Sequence, residues 1–235
     1  MRLKGVGQAA GALALCLAAA GIGRAGEAGA GDSRTTPLMV PDRIKAEVVA
    51  VLAHPDDEGV IAPLLARFAL VDGERVVALY LTMGEMGTDR VASIRGPAFG
   101  LMRLTELHRT LDRLGVAMFH DLGRADLSPP DDPAALLASW DRDRTVSELT
   151  RFLRLLRPDR LMLWLPGPAS GHTAHMAAGA AALLAWRSAA SGDVYPEQIA
   201  SEGLRAWTVP EVLVFFQADK VAYSKYPDDA DLASR

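Results

Sequence analysis

One imidazole and three carboxylates stand together in Ala53-His54-Pro55-Asp56-Asp57-Glu58, directly after the apolar run Val48-Val49-Ala50-Val51-Leu52. A histidine three residues before a carboxylate, as His54 is before Asp57, can turn two ligand atoms toward one divalent ion. The same spacing admits a plainer role, because Asp56 or Asp57 can cap a helix that starts near Gly59. His175 shifts the balance toward metal chemistry. Together with His54 and Asp57 it makes two imidazoles and one carboxylate around an open position, which is a catalytic zinc arrangement. An ion held there polarises a carbonyl and lowers the pKa of water toward ~7. Zinc is the expected ion, and Fe2+ or Co2+ can use the same donors. Asp56 is then the surplus acid, placed to act as general base. His172 precedes His175 by one helical step and can stabilise an oxyanion or protonate a leaving amine, or else simply bond to loop backbone.

These residues need a scaffold that brings distant loops to one edge. The β-rich runs are Glu47 to Ala53, Arg75 to Leu81, Ala117 to Leu122, Arg160 to Leu165 and Glu211 to Phe216. Helical patterning lies between them, at Val60 to Leu70, Pro97 to Leu114, Pro133 to Leu156 and His175 to Ala190. The second of these carries Leu101, Leu104, Leu107, Leu111 and Leu114 on one face. Strand and helix in alternation imply crossover units, hence an α/β fold: a three-layer, Rossmann-like sandwich around a mainly parallel sheet. Ligands of such sheets bind outside the carboxyl ends of the strands. The polar clusters follow that rule: His54 to Glu58, Gly84 to Asp89, Gly123 to Asp126 and Gly171 to His175 each follow a strand.

Composition narrows the class. Of 235 residues half are apolar, enough for one well-cored domain. A net charge of -4 with no basic run gives no nucleic-acid surface, and a small molecule or glycan is the expected partner. No protein partner is evident. The N-terminus has the tripartite form of a secretory signal, residues 1–25, with Met1-Arg2-Leu3-Lys4, an Ala/Leu/Gly-rich stretch from Val6 to Ile22 and cleavage expected after Ala25. This predicts a secreted or periplasmic protein, with a membrane-anchored one as the alternative. Residues 26–44 are rich in Gly, Ser, Thr and Pro and form a linker, so the catalytic domain spans 45–235. Cys16, the only cysteine, falls within the leader. The mature chain would thus have no disulfide and no thiolate, and His, Asp and Glu must hold any metal.

In its motifs the chain resembles the PIG-L/LmbE-like zinc-dependent de-N-acetylases. The resemblance rests on the hexapeptide Ala53 to Glu58, on Thr82-Met83-Gly84-Glu85-Met86-Gly87-Thr88, and on Arg103-Leu104-Thr105-Glu106 leading to Leu114-Gly115-Val116. His172 to His175 followed by Ala177 and Gly179, and Trp207-Thr208-Val209-Pro210, also match. The resemblance implies zinc on His54, Asp57 and His175, with Asp56 as base and His172 at the oxyanion. It also implies sugar-holding roles for Glu85, Arg103 and Asp126. Each of these three has a plainer alternative: backbone bonding in the Glu85 loop, a surface ion pair from Arg103 to Glu106 or Asp89, and a turn at Asp126.

The chain departs from that pattern in two respects. Where members commonly have His-Pro-Asp-His, it has His172-Thr173-Ala174-His175, so the acid that would charge His172 is missing. Many members also continue beyond the last strand with a further helix and strand, so a shorter or more open substrate rim is expected here. The implied function is removal of the N-acetyl group from a GlcNAc-type sugar or glycoconjugate, by attack of a metal-activated water on the acetamide. Two alternatives stand beside it: a carbohydrate-binding pseudoenzyme, motivated by Ala174, and an amidase of a thiol-sugar conjugate. A phosphoesterase would want a richer, usually binuclear, ligand set.

Overall fold

Val, Ala and Leu, with Tyr80, fill the first two strands, and every residue of both is buried, as expected of strands covered on both faces. In the computed structural model, which describes residues 44–87, 93–127 and 132–217, these strands are β1 (Val48–Leu52) and β2 (Val76–Tyr80). With β3 (Met118–Asp121), β4 (Arg160–Trp164) and β5 (Glu211–Phe215) they form one parallel sheet in the order β3-β2-β1-β4-β5. The expected leader, most of the expected linker, and Thr88 and Asp89 of the second motif lie outside the described residues.

Alternation along each strand feeds two cores. Val49, Val51, Leu79, Leu161 and Leu163 pack against the helices α3 (Pro133–Ser139), α4 (Arg142–Leu156) and α5 (Thr173–Ala190). Val48, Leu52, Tyr80, Met162 and Trp164 pack against α1 (Glu58–Ala66) and α2 (Pro97–Leu114). The result is the expected three-layer α/β sandwich. A short α6 (Pro196–Ala200), not foreseen from the sequence, follows α5.

Two helices differ from expectation. The first is helical from Glu58, and Arg67–Val71 at its end widens into a π-helical turn. The segment expected as one helix from Pro133 to Leu156 is two, because Asp141 takes a left-handed conformation (φ 55°) and its carboxylate caps the new helix at the Arg144 N–H. The apolar pattern runs on through Trp140 and Val146, so periodicity alone hides the break.

Topology decides where the site falls. Strand order reverses between β1 and β4, so the loops leaving these neighbours diverge to opposite faces and open a crevice at their carboxyl ends. The helix after β4 comes very close to the sheet: Ala177, Ala178, Ala181, Ala182 and Ala185 line its buried face. A Cβ at Gly179 would lie 2.1 Å from the Trp164 carbonyl oxygen. Small residues thus set the position of the first turn of α5, which carries His175.

Candidate active site

Just past β1 the chain turns so that Asp57 looks back at the strand end. Its Oδ2 accepts from the backbone N–H of Ala53 (2.7 Å) and of His54 (3.1 Å) and from the Trp164 indole N–H (2.8 Å). Three donors on one oxygen orient the carboxylate, and the other oxygen, Oδ1, faces His175 Nε2 at 3.0 Å and His54 Nδ1 at 3.7 Å. Although Asp57 precedes α1, its side chain makes no capping bond. Burial alone would raise its pKa, but His175 and His54 outweigh burial and hold the carboxyl well below the usual range.

His175 is held from two further sides. Its ring stacks on Trp164 with centroids 3.9 Å apart and planes 6° from parallel. Its Nδ1 lies 2.5 Å from the Ser170 carbonyl, which can only accept, so Nδ1 carries the proton. That leaves Nε2 facing a carboxylate oxygen. Two lone pairs at that distance repel unless a second proton or a cation lies between them. The donor set therefore fits a divalent ion, with Ser170 fixing the ligating tautomer.

His54, also buried, has Nε2 3.6 Å from Asp126 Oδ1. Burial opposes the charged ring, yet Asp126 and Asp57 together raise its pKa to about 9. His172 behaves in the opposite way. It is solvent-exposed as a residue, but partial desolvation by the surrounding walls, then the nearby His175 and His54, push its pKa down to about 4. Buried Ala174 offers no compensating carboxylate. One ring nitrogen from each of His54, His172 and His175 falls within 4.8 Å of the other two.

A cleft of about 290 Å³ opens over this cluster, with Asp56, Arg103, Asp126, His172, Met86 and Leu127 in its walls. The Asp56 carboxylate is largely exposed and sits 2.7 Å from the Arg103 guanidinium. Arg103 also donates to the carbonyls of Pro55 and Gly84. Gly84 has a left-handed backbone (φ 68°) that favours glycine, and a Cβ there would also push aside the Arg103 guanidinium, whose Nη1 would lie 2.0 Å away. Asp126 Oδ2 accepts the Met86 N–H at 2.9 Å, which ties the second loop to the third. Burial would raise the Asp126 pKa, but His54 and that N–H lower it overall.

The structure thus brings His54, Asp57 and His175 together and sets Asp56, His172, Arg103 and Asp126 around the cleft. Glu85 is not among the lining side chains. It packs against Gly100 of α2, with Oε2 buried and, among the described residues, without a hydrogen-bond partner. Sequence reasoning missed Trp164, Ser170 and Tyr80. Trp164 and Tyr80 end strands whose carboxyl edge was already expected to bear the site, and that position was the available signal.

Known proteins resemble this chain in sequence and in fold. Residues 49–186, more than half of the chain, match the family described as PIG-L, GlcNAc-PI de-N-acetylase. A 1D-myo-inositol 2-acetamido-2-deoxy-alpha-D-glucopyranoside deacetylase of Corynebacterium glutamicum is 34% identical over 60% of this chain and 53% of its own. A mycothiol S-conjugate amidase of Streptomyces coelicolor is 28% identical over 64% of this chain and 55% of its own. The chain spans about half the length of these curated relatives. In fold it is similar to an N,N'-diacetylchitobiose deacetylase from Pyrococcus horikoshii, with a TM-score of 0.60 at 21% identity, over 80% of this chain and 66% of that one. On the family match and the motif order, the chain belongs to the PIG-L family of GlcNAc-PI de-N-acetylases.

Proposed function

We propose that the protein is a metal-dependent hydrolase that removes the N-acetyl group from a GlcNAc-type sugar or glycoconjugate. The observation that carries this reading is the facing of Asp57 Oδ1 and His175 Nε2 across 3.0 Å at the sheet's switch point, beside a cleft that contains Asp56. His54, Asp57 and His175 would hold the ion, zinc by preference and iron or cobalt as alternatives. When bound, it supplies a Lewis acid for the amide carbonyl and lowers the pKa of water.

The chain's own groups do the rest. Asp56 takes a proton from the attacking water as general base. His172, neutral at pH 7 with a pKa near 4, donates one hydrogen bond to the carbonyl oxygen as charge develops there. Because a neutral imidazole is a poor acid, Asp56 also returns the proton to the departing sugar amine. Arg103 and Asp126 hold sugar hydroxyls in the cleft. The leader read in residues 1–25 would place this reaction outside the cytoplasm, with N-terminal sequencing of the processed protein as its check.

A second reading, hydrolysis of a thiol-sugar conjugate by the same groups, is favoured by the likeness to the mycothiol S-conjugate amidase. Mass spectrometry of products from GlcNAc-inositol, diacetylchitobiose and a thiol-sugar conjugate separates the two. Acetate and a free sugar amine support deacetylation. Cleavage of the conjugate alone supports the amidase, and binding without any product would leave a carbohydrate-binding protein.

A further inference from the structure

Asp56 has a backbone conformation that aspartate rarely adopts, φ 104°, in the region where a side chain crowds its own peptide. Such a residue keeps that shape only when its surroundings hold it there, and strain of this kind gathers at functional sites. Arg103 grips the Asp56 carboxylate, but a second contact holds the backbone itself. The Asp56 N–H donates to Glu58 Oε2 at 2.9 Å, and the same oxygen accepts the Tyr80 hydroxyl at 3.0 Å. Glu58 is 5% exposed, and Tyr80, at the end of β2, is wholly buried.

Taking a carboxylate out of water is costly, so a buried one needs donors held against it. Here a buried carboxylate accepts its own N–H and reaches two residues back along the chain to the Asp56 N–H, and a buried tyrosine orients it. We propose that Glu58 and Tyr80 are a positioning pair that locks the Asp56 backbone, and so aims its carboxylate into the cleft. The proposal rests on Asp56 being the base, but the geometric part can be read without turnover. Glu58 acts only through Asp56, whereas metal retention depends on Asp57 and the two histidines.

The test uses the full zinc-loaded protein and has two arms. In amide hydrogen exchange by NMR, the Asp56 N–H should exchange about tenfold or more faster in Glu58→Ala, with a smaller gain in Tyr80→Phe, and should regain protection in Glu58→Gln, which keeps an acceptor oxygen. In the kinetic arm, Glu58→Ala should lower kcat by about tenfold or more with KM and zinc content unchanged, and Glu58→Gln should recover most of the loss. In an Asp56→Ala background, Glu58→Ala should have no further effect. Unchanged Asp56 exchange in Glu58→Ala would overturn the proposal, as would an equal loss of kcat with and without Asp56. If the wild type deacetylates nothing, the deacetylase reading fails, and the exchange arm still decides whether Glu58 holds Asp56.

Discussion

Trp164 touches two of the three proposed ligands at once: its indole N–H donates to Asp57 Oδ2 at 2.8 Å while its ring lies flat on His175 at 3.9 Å. One side chain at the end of β4 thereby joins the carboxylate from the β1 loop to the imidazole from α5. Trp164→Phe keeps a ring against His175 but removes the donor. Asp57 retains two backbone N–H bonds, so the fold should survive, while metal affinity should fall by about 10- to 100-fold, the usual loss when a group supporting a ligand is removed. Competition against a chelating dye measures this.

The close approach of α5 makes Gly179 sensitive. Alanine there would drive a Cβ to 2.1 Å from the Trp164 carbonyl, which is backbone and cannot step aside. Gly179→Ala should cost about 1–3 kcal/mol, as overpacking generally does, despite alanine's better helix propensity. Because relief requires α5 to move, metal affinity should fall too. Urea denaturation and metal titration on the same variant check both effects.

Restoring an acid beside His172 should reverse its depressed pKa. In Ala174→Asp the new carboxylate lies in the first turn of α5, where the helix dipole favours negative charge, and it favours protonated His172. The His172 pKa, read by NMR, should rise from about 4, and turnover near neutral pH should increase by about tenfold as the imidazolium becomes available as acid. A gain confined to the pKa would mean that proton delivery to the amine does not limit the rate.

Metal-free protein should depend on pH through His54. Its pKa is raised from 6.5 to about 9 in the folded protein. The stabilisation from the charged ring is fully present below pH 6.5 and is lost as pH rises toward 9. Thermal stability of the metal-free form should therefore decline across that window. Metal requires the neutral ring, so binding at pH 7 should release a proton and affinity should rise with pH up to about 9. Calorimetry in buffers of different ionisation enthalpy counts the proton.

Four of the strands could be read from the sequence as short runs rich in Val or Leu, and β3 as a short run with Met and Phe. His54 to Glu58 could be placed because a parallel sheet sends such loops to one edge. Local patterning could not separate α3 from α4, since the apolar face continues across Asp141 and only that residue's left-handed turn ends the first helix. Trp164 was hidden for a different reason. Its bond to Asp57 spans 107 positions and exists only because β4 pairs with β1, a neighbour relation that spacing does not contain. Arg103 could be read as a sugar ligand or a surface ion pair, but its additional hold on Pro55, Gly84 and Asp56 depends on how α2 docks.

The most direct test of the account is a paired measurement of bound metal and released acetate, on wild-type protein and on Asp56→Ala, after chelation and reloading with one equivalent of zinc. Both proteins should bind the metal. Wild type should release acetate from an N-acetylated glucosaminide, and Asp56→Ala should do so about 100- to 10,000-fold more slowly, the range expected for loss of a general base. Acetate release by Asp56→Ala at the wild-type rate, or a wild-type protein that takes up no metal, would contradict it.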